Sequence, residues 1–166
     1  YDGSVKELNY SVPNLNQCKG CHIKSGKIKP IGPSARQLNN TLDYADVSAN
    51  QLEYWQQKGI LEDIHQDVAD VDAVPLWADA SSGSLDKRAR AYLDINCAHC
   101  HSSEGPANTS GFFLDSYQDK KSALGVMKSP IAAGRGSGGL KYDIHPGEPD
   151  SSIIVFRMSS HDPGIM

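Results

Sequence analysis

The most constraining feature of the sequence is a pair of short motifs that together contain all four cysteines of the chain. The first is Cys18-Lys19-Gly20-Cys21-His22 and the second is Cys97-Ala98-His99-Cys100-His101. Cys-x-x-Cys-His is the attachment signature of c-type haem. Thiols at this spacing share one face of a helical turn and can add to the two vinyl groups on one edge of a porphyrin. The histidine that follows is then the proximal iron ligand. The sequence therefore predicts two covalently attached haem c groups.

Two other interpretations of the cysteines stay open. Four thiols in two Cys-x-x-Cys pairs can hold a structural zinc ion, and one such pair alone can be a redox dithiol. Neither interpretation explains why a histidine follows each second cysteine. Cys18 and Cys97 are also 79 residues apart, which is farther than in compact zinc modules. We therefore predict haem attachment in both halves of the chain. The residues predicted to hold the two groups are Cys18, Cys21, His22, Cys97, Cys100 and His101.

Length, charge and hydropathy exclude several other classes of protein. A chain of 166 residues is one domain or two small lobes. The formal net charge is −4 with no basic stripe, which argues against nucleic acid as a partner. No apolar run reaches the roughly 18 residues of a membrane span. The chain begins at Tyr1-Asp2 without a leader and stops at Met166, so we interpret it as a domain of a larger protein.

The helix signals predict a mostly α fold with long loops. Asn14 is expected to cap a short helix carrying the first motif, and Ser84 a longer helix leading into Cys97. Both halves therefore repeat a helix that ends in the motif, a loop and a further helix, which predicts two haem lobes packed together. The acidic, proline-containing segment before Ser84 places the lobes at residues 1–80 and 81–166. The other predicted helices are 34–40, Ser48 to Gly59, 117–127 and 152–159.

The order of the motifs resembles known families. In the first half, the motif, Gly32-Pro33 and then a helix with Tyr54-Trp55 resemble small class I cytochromes c. In the second half, the segment from Tyr92 to His101, then 146–152 and Arg157-Met158, resembles bacterial dihaem cytochrome c domains. Such domains occur in exported multidomain redox proteins, some with carbohydrate-binding modules. The resemblance implies two cytochrome c-like lobes and a redox chain outside the cytoplasm.

The sixth ligand of each iron is left open. In the resembled domains, a Met-Pro pair after the Arg-Met helix supplies a ligand, which makes Met166 the first candidate at the second haem. Met158 is its substitute, or an ordinary core methionine. The first haem takes either His65, a ligand from the second lobe, or none. The second-lobe residues weighed for this role are Met127, His145 and Met158.

These expectations favour an electron-transfer protein. A six-coordinate iron binds no substrate, and the identity of the axial ligands sets its potential. Haem attachment needs the oxidising side of a membrane, so the expected location is the bacterial periplasm or the exterior. The expected partner is another redox protein, with a copper polysaccharide oxygenase as one candidate acceptor. The alternative is a dihaem enzyme of peroxidase type, which needs one open iron site and a nearby acid–base group. His99, inside the second motif, is expected at the surface.

Overall fold

The computed structural model describes Val5 and residues 12–62 and 66–162. These residues form five α-helices and two antiparallel sheets of two strands each, joined by irregular segments and short 3-10 turns. The helices are α1 (Leu15–His22), α2 (Ala35–Leu38), α3 (Gln51–Gln57), α4 (Leu85–Cys97) and α5 (Ile153–Ser159). The strands are β1 (Ile23–Lys24), β2 (Lys27–Ile28), β3 (Thr41–Asp43) and β4 (Ser48–Asn50). The 3-10 turns are Val68–Asp70, Asn108–Ser110, Gly134–Ser137 and Pro149–Ser151.

The predicted fold class, mostly α with long loops and two cytochrome c-like haem lobes packed together, is wrong. Strands β1 and β2 pair as one hairpin and β3 and β4 as another, in a half of the chain where the sequence predicts only helices and loops. Most of the described chain is irregular, and its five helices span only 4 to 13 residues each. The division at residues 80 and 81 stays a prediction.

Local backbone geometry explains why one predicted helix is absent and why another, present as α3, begins later than predicted. Segment 117–127 is irregular, with turns and one β-bridge at Val126. Gly125 has a φ of 84° and Met127 a φ of 55°, and an α-helix does not tolerate left-handed residues, so no helix can run to the end of this segment. Ser48 belongs to strand β4, where it pairs with Asp43. The N-cap of α3 is instead Asn50, whose side chain accepts a hydrogen bond from the Leu52 amide at 3.0 Å.

Two residues form the tight turn of the first hairpin, β1–β2. Ser25 and Gly26, between β1 and β2, have φ values of 51° and 73°. Two consecutive left-handed residues form the type I′ turn, whose twist matches that of the strands on either side. The hairpin therefore reverses the chain immediately after α1. It carries Lys29 back alongside His22, where the Lys29 amide donates to the His22 carbonyl at 2.8 Å.

The predicted caps of the two motif-bearing helices are confirmed. The Asn14 side chain accepts hydrogen bonds from the amides of Asn16 and Gln17, and the Gln17 side chain accepts one from the Asn14 amide. This capping box starts α1, which ends at His22. The Ser84 hydroxyl accepts from the Lys87 amide at 3.3 Å and starts α4. Each motif therefore lies at the end of a helix whose start is defined by its own sequence.

The apolar core of the described residues is small. Its buried hydrophobic residues are Leu52, Ala98, Leu114 and Ile153. Ala98 lies inside the second motif, and the Leu114 amide donates to the His101 carbonyl at 2.8 Å. The core is therefore in direct contact with the second motif. In the part of the chain that the structure describes, no helix is long and apolar enough to cross a membrane.

Candidate functional site

The first motif presents a histidine that a backbone carbonyl orients. His22 is the last residue of α1, and its Nδ1 lies 3.1 Å from the carbonyl oxygen of Lys29. A carbonyl only accepts hydrogen bonds, so Nδ1 carries the proton in this contact. The lone pair is then on Nε2, and the imidazole can bind a metal ion through that atom.

The histidine of the second motif also has its Nδ1 atom near a backbone carbonyl, although the carbonyl comes from a different part of the chain. Cys97 is the last residue of α4, and the amides of Cys100 and His101 both donate to its carbonyl. The Nδ1 of His101 lies 3.2 Å from the carbonyl oxygen of Phe112, and the two rings pack edge to face. Burial lowers the pKa of His101, against the opposing effect of the hydrogen bond with Phe112. The neutral imidazole that a metal ion requires is therefore favoured.

The two motifs lie against each other. The ligand atoms of Cys21, from the first motif, and of His99 and Cys100, from the second, are all within 4.8 Å of one another. Burial raises the pKa of Cys97. Burial, and next the neighbouring Cys21 thiol, raise the pKa of Cys100 to about 11. Tertiary folding thus brings together thiols that are far apart in the sequence.

A cleft of about 870 Å³ opens beside the first motif. His22 and Cys21 line one part of it, and the segment from Pro30 to Pro33 lines another. Ile95 on α4 and Tyr117 add apolar surface. The Gly32-Pro33 pair, one of the features that resemble class I cytochromes c, shares this cleft with His22. The cleft has the volume of a small-molecule or cofactor site.

An ion pair between Arg36 of α2 and Asp94 of α4 lines the same cleft. Both side chains are largely buried. Asp94 also accepts hydrogen bonds from the Gln37 side chain at 3.2 Å and from the Ser116 amide at 2.9 Å. This one carboxylate, three residues before the second motif, therefore holds α2 and the segment at Ser116 against α4. Sequence reasoning did not identify it, because none of its three partners is close to it in the chain.

A second connection joins the first hairpin to the loop after the second motif. The Ser25 amide donates to the Glu104 carbonyl at 3.0 Å, and its hydroxyl donates to the Glu104 carboxylate at 3.1 Å. Lys24 Nζ lies 3.1 Å from the same carboxylate. The hydrogen bond with Lys24, followed by that with Ser25, holds the pKa of Glu104 below its usual value. The hairpin is thereby attached beside the second motif.

Among the described residues, the candidate sixth ligands Met127, His145 and Met158 do not line the cleft beside His22. Met166 and His65 lie outside the described residues. Met158, on α5, is half-exposed and lines a separate, mainly apolar cleft together with His145. Met127 is half-exposed on a turn and lines neither cleft. The described candidates therefore leave the assignment of both sixth ligands as a prediction.

His99 is the residue whose position differs most from expectation. It is partly buried rather than exposed, and it lines the cleft beside His22. Its Nδ1 atom is buried and has no hydrogen-bond partner among the described residues. The only sequence signal was its place between the two cysteines of the second motif. A position in the sequence does not predict whether the ring faces solvent or the cleft.

Comparisons of the chain with protein families, with curated proteins and with solved structures found no match. The functional interpretation therefore depends on the motifs and on the geometry of the residues around them.

Proposed function

We propose that the protein is a dihaem c-type cytochrome that transfers electrons outside the cytoplasm. The observation that carries the proposal is the matching environment of the two motif histidines. His22 and His101 each place Nδ1 near a backbone carbonyl, at 3.1 Å and 3.2 Å, and each keeps Nε2 for a metal. Histidines that bind metals usually have this second contact, because it selects the tautomer and orients the ring.

The surroundings of the first motif fit a porphyrin. The cleft is lined by Ile31, Ile95 and Tyr117, which are 44%, 50% and 81% exposed. Exposed apolar side chains around a concave surface indicate a ligand that covers them. Cys18 lies in the middle of α1 and Cys21 next to its last residue, and both are free thiols, as covalent attachment requires. These side chains supply both the attachment and the apolar contact.

Each group of residues has a separate role in the proposed protein. The four cysteines hold the two groups covalently, and His22 and His101 bind at Nε2. Haem c supplies one-electron chemistry when it is bound. The carbonyls of Lys29 and Phe112 increase the electron donation of the imidazoles, which is one way in which a protein adjusts a haem potential.

Attachment of haem c requires the oxidising side of a bacterial membrane, so the proposed location is the periplasm or the cell exterior. The proposed partners are other redox proteins, and a copper polysaccharide oxygenase is a candidate acceptor. The second candidate function is a dihaem enzyme of peroxidase type. One observation favours it: among the described candidate ligands Met127, His145 and Met158, none lines the cleft beside His22. A haem there that lacks a sixth ligand is open to substrate.

Haem stoichiometry tests the proposal. The chain is expressed with a periplasmic haem c maturation system and assayed by pyridine haemochrome and by mass after denaturation in acid. We expect two covalent haem groups per chain. Replacing Cys18 and Cys21 by Ala, or Cys97 and Cys100 by Ala, is expected to leave one group. His161→Ala, a change outside both motifs, is the matched control and keeps two. A colourless protein with the mass of the bare polypeptide contradicts the proposal.

Carbon monoxide distinguishes the two candidate functions. A six-coordinate electron carrier in its reduced state is expected to show no spectral change on addition of carbon monoxide. Rapid and complete change at one of the two haem groups supports the enzyme instead, because it reveals an open coordination position.

A further inference from the structure

Where the two motifs meet, three side chains place atoms that can bind a metal ion close together. These atoms are available only while the cysteines carry no haem. We propose that Cys21, His99 and Cys100 bind one zinc ion in the polypeptide before haem is attached. This site takes one thiol from each motif, together with a histidine that neither motif needs for iron. It is therefore different from a zinc site made of two Cys-x-x-Cys pairs.

The geometry suits a small ion. The two sulfur atoms and the imidazole nitrogen lie within 4.8 Å of one another. Bonds of about 2.3 Å to sulfur and about 2.0 Å to nitrogen place the ligand atoms of a tetrahedral zinc ion somewhat closer together than this. Cys21 is exposed at the end of α1, so rotation of its side chain can supply the remaining movement.

The chemistry of the three side chains selects the metal. Two thiolates and one imidazole form a donor set of borderline softness, which suits zinc better than magnesium or calcium. Three protein ligands leave a fourth tetrahedral position for water. The metal-binding group found among the described residues does not include Cys18 or Cys97.

His99 provides an independent observation. Its Nδ1 atom is buried and has no hydrogen-bond partner among the described residues. A buried polar atom without a partner costs free energy, and native structures contain few of them. A zinc ion bound at this nitrogen supplies the partner that the atom lacks.

The site has a consequence for maturation. Attachment of haem converts the thiols of Cys21 and Cys100 into thioethers, which removes both sulfur ligands of the zinc ion. The zinc form and the haem form therefore exclude each other. Zinc is expected to compete with haem for one cysteine of each motif. The inference concerns the free-thiol chain, so it holds whether or not the proposed haem function is correct.

A cobalt titration tests the site. The full chain, produced without haem maturation and kept reduced under anaerobic conditions by a phosphine, is titrated with Co²⁺ and then with Zn²⁺. We expect sulfur-to-cobalt charge-transfer absorption that saturates at one equivalent and is abolished by Zn²⁺. Loss of an outer-shell partner alone weakens metal binding about 10- to 100-fold, so C21S, C100S and H99A are each expected to weaken it at least about 100-fold.

The other cysteine of each motif supplies the matched controls. C18S and C97S are expected to leave Co²⁺ affinity unchanged, because neither residue belongs to the group of candidate ligands. If these variants lose binding as severely as C21S and C100S, all four cysteines take part in metal binding and the proposal is wrong. Absence of charge-transfer absorption in the unsubstituted chain also overturns it.

A second measurement needs no variant and so does not depend on how a variant folds. The unsubstituted chain is treated with iodoacetamide with and without Zn²⁺, and the modified cysteines are mapped by mass spectrometry. Zn²⁺ is expected to protect Cys21 and Cys100 but not Cys18 and Cys97. Equal protection of all four, or of none, contradicts the site. The haem assay is made on separately matured protein, so its failure does not change the cobalt titration or the iodoacetamide mapping. The zinc proposal and the haem proposal can therefore be rejected separately.

Discussion

Arg36 and Asp94 form an ion pair that joins helices α2 and α4, although 57 residues of the chain lie between them. Their side chains are 14% and 9% exposed, so the pair is shielded from water on most sides. Asp94 also accepts the Gln37 and Ser116 hydrogen bonds. The pair therefore lies at the junction of several segments that line the cleft beside His22.

We predict that Asp94→Asn destabilises the chain by about 3 kcal/mol, because it leaves the Arg36 guanidinium largely buried without its counter-charge. Urea unfolding followed by circular dichroism measures the change in the free energy of unfolding. Glu104→Gln is the control, since its ion pair with Lys24 is half-exposed and such pairs contribute little. A loss in Asp94→Asn no greater than in the control contradicts the prediction.

The pKa of Glu104 provides a test of the contact between the first hairpin and the loop after the second motif. Its folded pKa lies below the ordinary 4.5, mainly because of the hydrogen bond with Lys24. The unfolded chain therefore binds more protons in this range. The contact stabilises the fold above the unfolded pKa, and this contribution is lost as the pH falls through the folded pKa.

We expect Lys24→Met to raise the pKa of Glu104 toward its ordinary value, as measured by carboxyl ¹³C NMR between pH 2 and 7. Lys27→Met is the matched control, because Lys27 lies in the same hairpin and is not among the groups that shift the pKa of Glu104. Equal shifts in the two variants contradict the contact.

Gly105 is predicted to be essential for the shape of the second motif. It is buried, and a Cβ atom added there would clash with the carbonyl oxygen of Cys100 and lie 2.7 Å from that of His99. Both are backbone atoms, so Gly105→Ala displaces the motif. Overpacking of this kind costs about 2 kcal/mol, and we expect haem content to fall from two groups toward one.

Thr109→Ala is the control for that experiment, because Thr109 is exposed in the same loop as Gly105 and lines neither cleft. Urea unfolding and pyridine haemochrome are measured on both variants. Full haem content and wild-type stability in Gly105→Ala disagree with the predicted clash.

The sixth ligands are tested by near-infrared spectroscopy of the matured protein. If Met166 is the ligand of the second iron, Met166→Ala abolishes the sulfur-to-iron charge-transfer absorption, because no sulfur remains on that iron. Unchanged absorption in Met166→Ala, with loss in Met158→Ala, assigns Met158 instead.

If His65 is the sixth ligand of the first iron, that haem has the lower potential, since imidazole in place of a thioether lowers the potential of an iron centre. His65→Ala is then expected to alter the spectrum of the first haem. A redox titration with spectra at each potential measures the effect on each haem separately. An unaltered spectrum excludes His65 as a ligand.

The two cysteine motifs, the Asn14 cap and the Ser84 cap were determined by the sequence alone. Each depends on residues within a few positions of one another, so its chemistry can be recognised without knowledge of the fold. The hairpin β1–β2 was missed although Ser25-Gly26 is a turn dipeptide, because strands of two residues are too short to show a period. The predicted helix 117–127 failed because its residues do not reveal that Met127 adopts a positive φ.

Only the tertiary structure decided that Cys21 lies against His99 and Cys100 and that Asp94 binds Arg36. It also decided that a cleft opens beside His22. These contacts join residues tens of positions apart. Side-chain burial and long-range packing establish them, and neither leaves a local pattern in the chain. Residue types therefore determined which chemistry is available, while the fold determined which of those groups meet.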